Sequence, residues 1–169
     1  NFLYYDYNGN FLREKTSEAF YTEITRTTDN ILAINSKVLE PKHYLSLLNE
    51  EDHRITVAKK IPLAFTYRGE FRCRGSYLLK SEHLYFTQNG DYTIYSWDNN
   101  RIKPVVTVDF GKYSYNPTQL NEEPHAPATR NKVLSIINVK EIRSNLFFNT
   151  NKIGLFVYNK TRHQIVHAY

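Results

Sequence analysis

Three observations predict an all-β fold built from repeated four-stranded antiparallel modules. Aromatic residues are heavily used, with 14 Tyr and 10 Phe against six Gly and six Pro, and aromatic side chains favour a pleated, half-buried surface. The stretch from Asp91 to Gly111 reads as a hairpin. Thr93, Ile94, Tyr95 and Trp97 form one strand, Asp98-Asn99-Asn100 the turn, and Val105 to Val108 the return strand, the short polar turn residues tolerating tight backbone angles. This hairpin plan occurs four times, so repetition is the dominant feature of the chain.

Taken in order, residues 2–13 form the first hairpin around Asn8-Gly9, the strongest local hairpin signal because a type I′ turn needs positive φ at both central residues. The second runs from His43 to Val57 with its turn at Asn49 to Asp52, and the third spans 93–108. The fourth runs from Gly154 to Val166 and turns at Asn159-Lys160. Between the hairpins lies a second unit, an apolar strand, a polar break and a strongly apolar strand. It is seen at Glu23 to Asn35, Tyr77 to Thr87 and Lys140 to Asn149. Unit plus hairpin gives four antiparallel strands in roughly 40–50 residues, the period of a propeller blade. The chain then divides into a half-blade at 2–14, blades at about 19–60, 74–109 and 133–169, and a loop excursion at 110–132. Helical periodicity is nearly absent, with short-helix candidates only at 117–123 and 128–135.

Extra material falls between the last strand of one blade and the first of the next, at Ile61 to Cys73 and Phe110 to Lys132. In a propeller these connections share a face with the turns joining second to third strands, and loops on a rigid scaffold are the usual home of function. Pro117, Pro124 and Pro127 mark the second excursion as a long one.

The formal charge of +5 can steer acidic partners. No helix-turn-helix, zinc-finger or RNP pattern accompanies it, so nucleic acid is not an expected partner. The single Cys73 excludes an internal disulfide framework, and its placement between Arg72 and Arg74 reads first as a half-buried small residue. No run of about 18 apolar residues marks a membrane span. Asp109-Phe110-Gly111 matches the kinase magnesium tripeptide in letters only, and a strand end followed by a Gly bend accounts for it. His163 and His167 share a face if both lie on a strand, yet no zinc motif surrounds them. Asn159-Lys160-Thr161 fits the glycosylation acceptor pattern, and turn chemistry explains it equally. No catalytic residue, metal site or cofactor is expected.

Tyr67 to Arg74 carries alternating arginines beside aromatics. Planar guanidinium forks suit carboxylate, phosphate or sugar-acid groups, whereas charged residues on a strand edge also deter unwanted pairing. The runs Tyr92 to Tyr95, Lys103-Pro104 and Val108 to Lys112, together with Leu84-Tyr85-Phe86 and Tyr5 to Leu12, resemble a bacterial six-bladed β-propeller family. Its members are mostly expected to be exported lipoproteins of Bacteroides-type bacteria, with function largely unassigned. The resemblance implies a cell-envelope location and a lipid anchor on a preceding segment. It also implies about three and a half blades of a six-bladed ring. A full ring needs about 250–330 residues at this period, so a piece of a longer protein is expected, an open arc completed by a partner being the alternative.

The leading functional expectation is a non-enzymatic binding or scaffold propeller whose partner is a glycan, peptide or protein. Arg68, Arg72, Arg74, Tyr113, Tyr115, His125 and Arg130 are the candidate contacts. The alternative is a calcium-dependent, lactonase-like or sugar-processing enzyme, with Asp29, Glu82 and Glu141 near the inner strands but set in polar breaks.

Overall fold

The computed structural model describes residues 2–16, 21–27, 30–39, 43–49, 55–60, 77–80, 83–88, 91–98, 101–114, 131–133, 135–152 and 154–168. Strands dominate them. A two-stranded sheet comes first, β1 (Phe2–Tyr5) against β2 (Phe11–Lys15). Three four-stranded sheets follow, each a simple antiparallel meander. The first holds β3 (Tyr21–Arg26), β4 (Asn30–Leu39), β5 (His43–Asn49) and β6 (Ile55–Lys60). The second holds β7 (Tyr77–Lys80), β8 (Leu84–Gln88), β9 (Asp91–Asp98) and β10 (Arg101–Thr107). The last holds β11 (Ile136–Ile142), β12 (Asn145–Thr150), β13 (Leu155–Asn159) and β14 (Gln164–Ala168).

How the sheets meet defines the architecture. β7, the first strand of its sheet, lies against β3 on one side and β11 on the other. The first strands are therefore innermost, and each meander runs outward from them, as in propeller blades. One apolar core fills the wedge between the second and last four-stranded sheets. Tyr85, Ile94, Val108 and Phe110 meet Val139, Leu146, Phe148 and Phe156 there. The Phe148 and Phe156 rings stack at 5.4 Å, and Phe110 meets Phe156 edge-on at 5.6 Å, arrangements that aromatic quadrupoles favour.

Bulges set which side chains enter the core. In β11 the register slips by one residue between Ile137 and Lys140, where Asn138 takes φ 54°. A one-residue slip reverses the facing of every later side chain. It turns Glu141 and Val139 inward and Lys140 outward. In β10 a slip follows Pro104. Proline donates no ladder hydrogen bond and is tolerated there because β10 is an outer strand.

Two local expectations change. The Asn8-Gly9 hairpin is not a type I′ turn, since Gly9 has φ 83° but Asn8 is not among the positive-φ residues. Gly9 N–H donates to the Asp6 carbonyl at 3.1 Å, giving a three-residue loop that ends on a left-handed glycine. Of the expected helix at 128–135, residues 131–133 form a turn, a bend and a bridge. The segment 117–123 lies outside the described residues. The single short 3₁₀ turn described is Gly111–Tyr113, entered through Gly111 at φ 55°.

Asp6 decides the first loop. Its carboxylate accepts the backbone N–H groups of Asn8 at 2.9 Å and Asn10 at 2.8 Å, and the Asn10 side-chain amide at 2.9 Å. The Asn10 amide contributes most to holding this exposed carboxyl below its ordinary 3.8. A lowered folded pKa contributes stability that is present above the unfolded value and lost as pH falls through the folded one. The hairpin amides should therefore lose exchange protection below about pH 4, and Asp6→Asn should remove that dependence. Equal acid sensitivity in both proteins would contradict this role.

Candidate functional site

The sheets carry chemistry at two opposite ends. At one end lie the two described ends of the connection from β10 to β11, residues 108–114 and 131–133. Phe110 packs edge-on against Tyr92 at 5.2 Å, and the Tyr92 hydroxyl donates to the Val133 carbonyl at 2.6 Å. Asp109 Oδ1 accepts Gly111 N–H at 2.7 Å and fixes the bend. Ser114 and Val133 then form a parallel bridge, with Val133 N–H donating to the Tyr113 carbonyl at 2.8 Å. Lys132 Nζ donates to the Lys112 carbonyl at 2.6 Å. Both ends of the excursion are thus tied together on a buried aromatic base. Tyr113 stands exposed there, with the Lys112 ammonium 5.2 Å from its ring centroid.

Of the candidate contacts, Tyr113 is the one the structure describes. Arg68, Arg72, Arg74, Tyr115, His125 and Arg130 lie outside the described residues, as do Cys73, Asp29 and Glu82. Lys112 and Lys132 join Tyr113 at this end, and sequence reasoning missed both. Neither belongs to a basic cluster, and only the bridge between Ser114 and Val133 makes them neighbours.

At the other end lies a buried polar cluster. Glu141 is 4% exposed on β11. Its Oε2 accepts the Tyr85 hydroxyl at 2.7 Å and sits 2.6 Å from His83 Nδ1, while Oε1 pairs with the Lys160 ammonium. His83 and Tyr85 belong to the second four-stranded sheet, Glu141 and Lys160 to the last. The cluster therefore clamps two blades across their wedge. Lys160 N–H also donates to the Ser144 carbonyl at 2.8 Å, and Asn159 Nδ2 to Asn145 Oδ1 at 2.9 Å. These bonds join the β13–β14 turn to the β11–β12 turn. The expectation that Glu141 occupies a polar break is corrected, because the Asn138 bulge carries it inside a strand and into the core.

His163 and His167 do not share a strand face. His163 closes the β13–β14 turn at φ 52°, its Nδ1 3.0 Å from the Tyr158 hydroxyl. His167 lies on β14, stacked on Phe156 at 4.7 Å. Asn159 accepts the N–H groups of Thr161 and Arg162 through its side chain, which is the turn chemistry its sequence suggested. Among the described residues, no group of three or more His, Cys, Asp or Glu side chains could hold a metal ion. None of their helices is long and apolar enough to cross a membrane.

A family model described as a 6-bladed beta-propeller, DUF5128, matches residues 1–168. The chain belongs to this six-bladed β-propeller family. The radial sheets described above are three of its blades, and β1–β2 is half of another. Neither the curated proteins nor the solved structures compared give a match. Within the propeller, the excursion after β10 emerges at the end that also carries the β12–β13 turn, whereas the Glu141 clamp lies at the end of the β11–β12 and β13–β14 turns.

Proposed function

We propose that this domain is a non-enzymatic binding or scaffold propeller of the bacterial cell envelope, engaging a glycan, peptide or protein through the loops that leave its outer strands. The observation that carries this reading is the pinned base of the excursion after β10. Its two ends are fastened by the Ser114–Val133 bridge over a buried aromatic platform, with Tyr113 and Lys112 outward. Such a base holds a loop in place while leaving its side chains available, the arrangement that rigid scaffolds give binding loops. The net charge of +5 favours an acidic partner. The envelope location rests on the family resemblance.

Glu141 weighs against the calcium-enzyme alternative. Both of its carboxylate oxygens are engaged by Lys160, His83 and Tyr85, so they are not offered to a cation that takes six to eight oxygen ligands.

Calorimetric titration with an oligogalacturonate and with a neutral maltooligosaccharide tests the reading. The acidic sugar should bind, and Tyr113→Ala or Arg72→Ala should weaken it about tenfold while leaving unfolding unchanged. Calcium-dependent turnover of a simple lactone, without oligosaccharide binding, would overturn the reading.

A further inference from the structure

Charge is not spread evenly along the chain. Residues 1–130 carry 16 Lys and Arg against 16 Asp and Glu, whereas residues 131–169 carry six against one. The whole formal excess of +5 therefore belongs to the last blade and the segment leading into it. Its one carboxylate, Glu141, is buried and already answered by Lys160. In the neighbouring blade Asp98, at the β9–β10 turn, is answered by Lys103 at 2.6 Å.

Three of the six cations, Arg143, Lys160 and Arg162, belong to two turns at the clamp end. Arg143 stands exposed in the β11–β12 turn and Arg162 in the β13–β14 turn. These turns are fastened side by side, by the bond from Lys160 N–H to the Ser144 carbonyl and by that between the Asn159 and Asn145 side chains. Asn159 Oδ1 also accepts Arg162 N–H at 2.8 Å and sets its backbone. Turns two strand spacings apart in one sheet lie about 10 Å from each other, so both arginines rise from one fixed platform. The Glu141 clamp ties that platform to the next blade, where His83 is exposed at the same end.

The residues of the two turns, Arg143, Ser144, Lys160, Thr161, Arg162 and His163, include no Phe, Tyr or Trp. Single-stranded nucleic acid is held by aromatic stacking, and protein partners are held by a buried apolar or aromatic centre. An anionic bilayer needs only cations presented together on one face. We propose that the clamp end docks on an anionic lipid surface, Arg143 and Arg162 supplying the charge that meets the headgroups. Each cation brought to such a surface strengthens binding about fivefold. In this orientation the loop-bearing end points away from the bilayer, and the inference holds whether or not those loops bind a sugar.

The test is co-sedimentation of the full chain with vesicles of equal parts phosphatidylglycerol and phosphatidylcholine, against vesicles of phosphatidylcholine alone. The anionic vesicles should bind at least about tenfold more tightly, and the preference should shrink as salt is added. Arg143→Gln and Arg162→Gln should each weaken binding about fivefold, and Arg162→Glu by more, with unchanged circular dichroism spectra. Lys152→Glu makes the same change in net charge as Arg162→Glu, but in the exposed β12–β13 turn at the opposite end. It should alter vesicle binding by less than about twofold. Equal binding to both vesicles, or equal losses from Lys152→Glu and Arg162→Glu, would overturn the proposal. Tighter binding to soluble dextran sulfate than to the anionic vesicles, lost in Arg162→Glu, would also overturn it by making an acidic polysaccharide the occupant.

Discussion

Phe148→Ala is expected to lower the unfolding free energy by about 4 kcal/mol, the range for truncating a fully enclosed phenylalanine. Phe148 is 0% exposed at the centre of the wedge and stacks flat on Phe156. Its removal would leave a cavity bounded by two blades. Neither blade can close it alone, because the bonds from Tyr92 to Val133 and from Thr87 to the Ile136 carbonyl hold the sheets at a set separation. Against a typical total of about 5–15 kcal/mol, this loss is a large fraction. Phe148→Leu keeps most of the volume and should cost under about 1.5 kcal/mol. Urea unfolding followed by the single Trp97, which lies on β9, provides the measurement. A Phe148→Ala loss below about 1 kcal/mol would mean that the wedge is not the core of the fold.

The second large effect concerns the clamp. Removing one partner of a buried ion pair costs about 3–5 kcal/mol because the other charge is left uncompensated. The Lys160 side chain is 31% exposed against 1% for Glu141, so water softens that loss. Lys160→Met should cost about 2 kcal/mol. Glu141→Leu removes an acceptor of the Tyr85 hydroxyl, at a cost of about 1–3 kcal/mol. The double variant should be more stable than the sum of the two predicts, by at least about 1 kcal/mol, since the ion pair is then removed as a unit. Strict additivity would show that Glu141 and Lys160 are not energetically coupled.

Much of the fold could be read from the sequence because propeller order is local. Among the described residues every ladder joins consecutive strands, so a turn such as Asp98 to Arg101 and an apolar run such as Leu84 to Phe86 identify neighbours without long-range information. The clamp was hidden for the opposite reason. Glu141 finds Tyr85 and His83 in a different blade, 56 and 58 residues earlier, and no local pattern connects them. Its inward facing also depends on one bulge at Asn138, and counting alternation through that bulge gives the wrong face. Turn type was legible in part. Asn8-Gly9 announced a hairpin, but the Asp6 carboxylate captured the loop amides and selected a longer loop. At the loop-bearing end, Tyr113 was chosen for its type and position, while Lys112 and Lys132 depend on how the two ends of the excursion meet.

The first strands gather around a common axis while the meanders run outward. Nuclear Overhauser contacts between inner strands test it most directly. Backbone contacts from β7 to both β3 and β11 are expected, together with ring contacts between Phe110 and Phe156. An absence of β7–β11 contacts, with β7 lying instead against β13 and β14 in a flat two-layer stack, would contradict it.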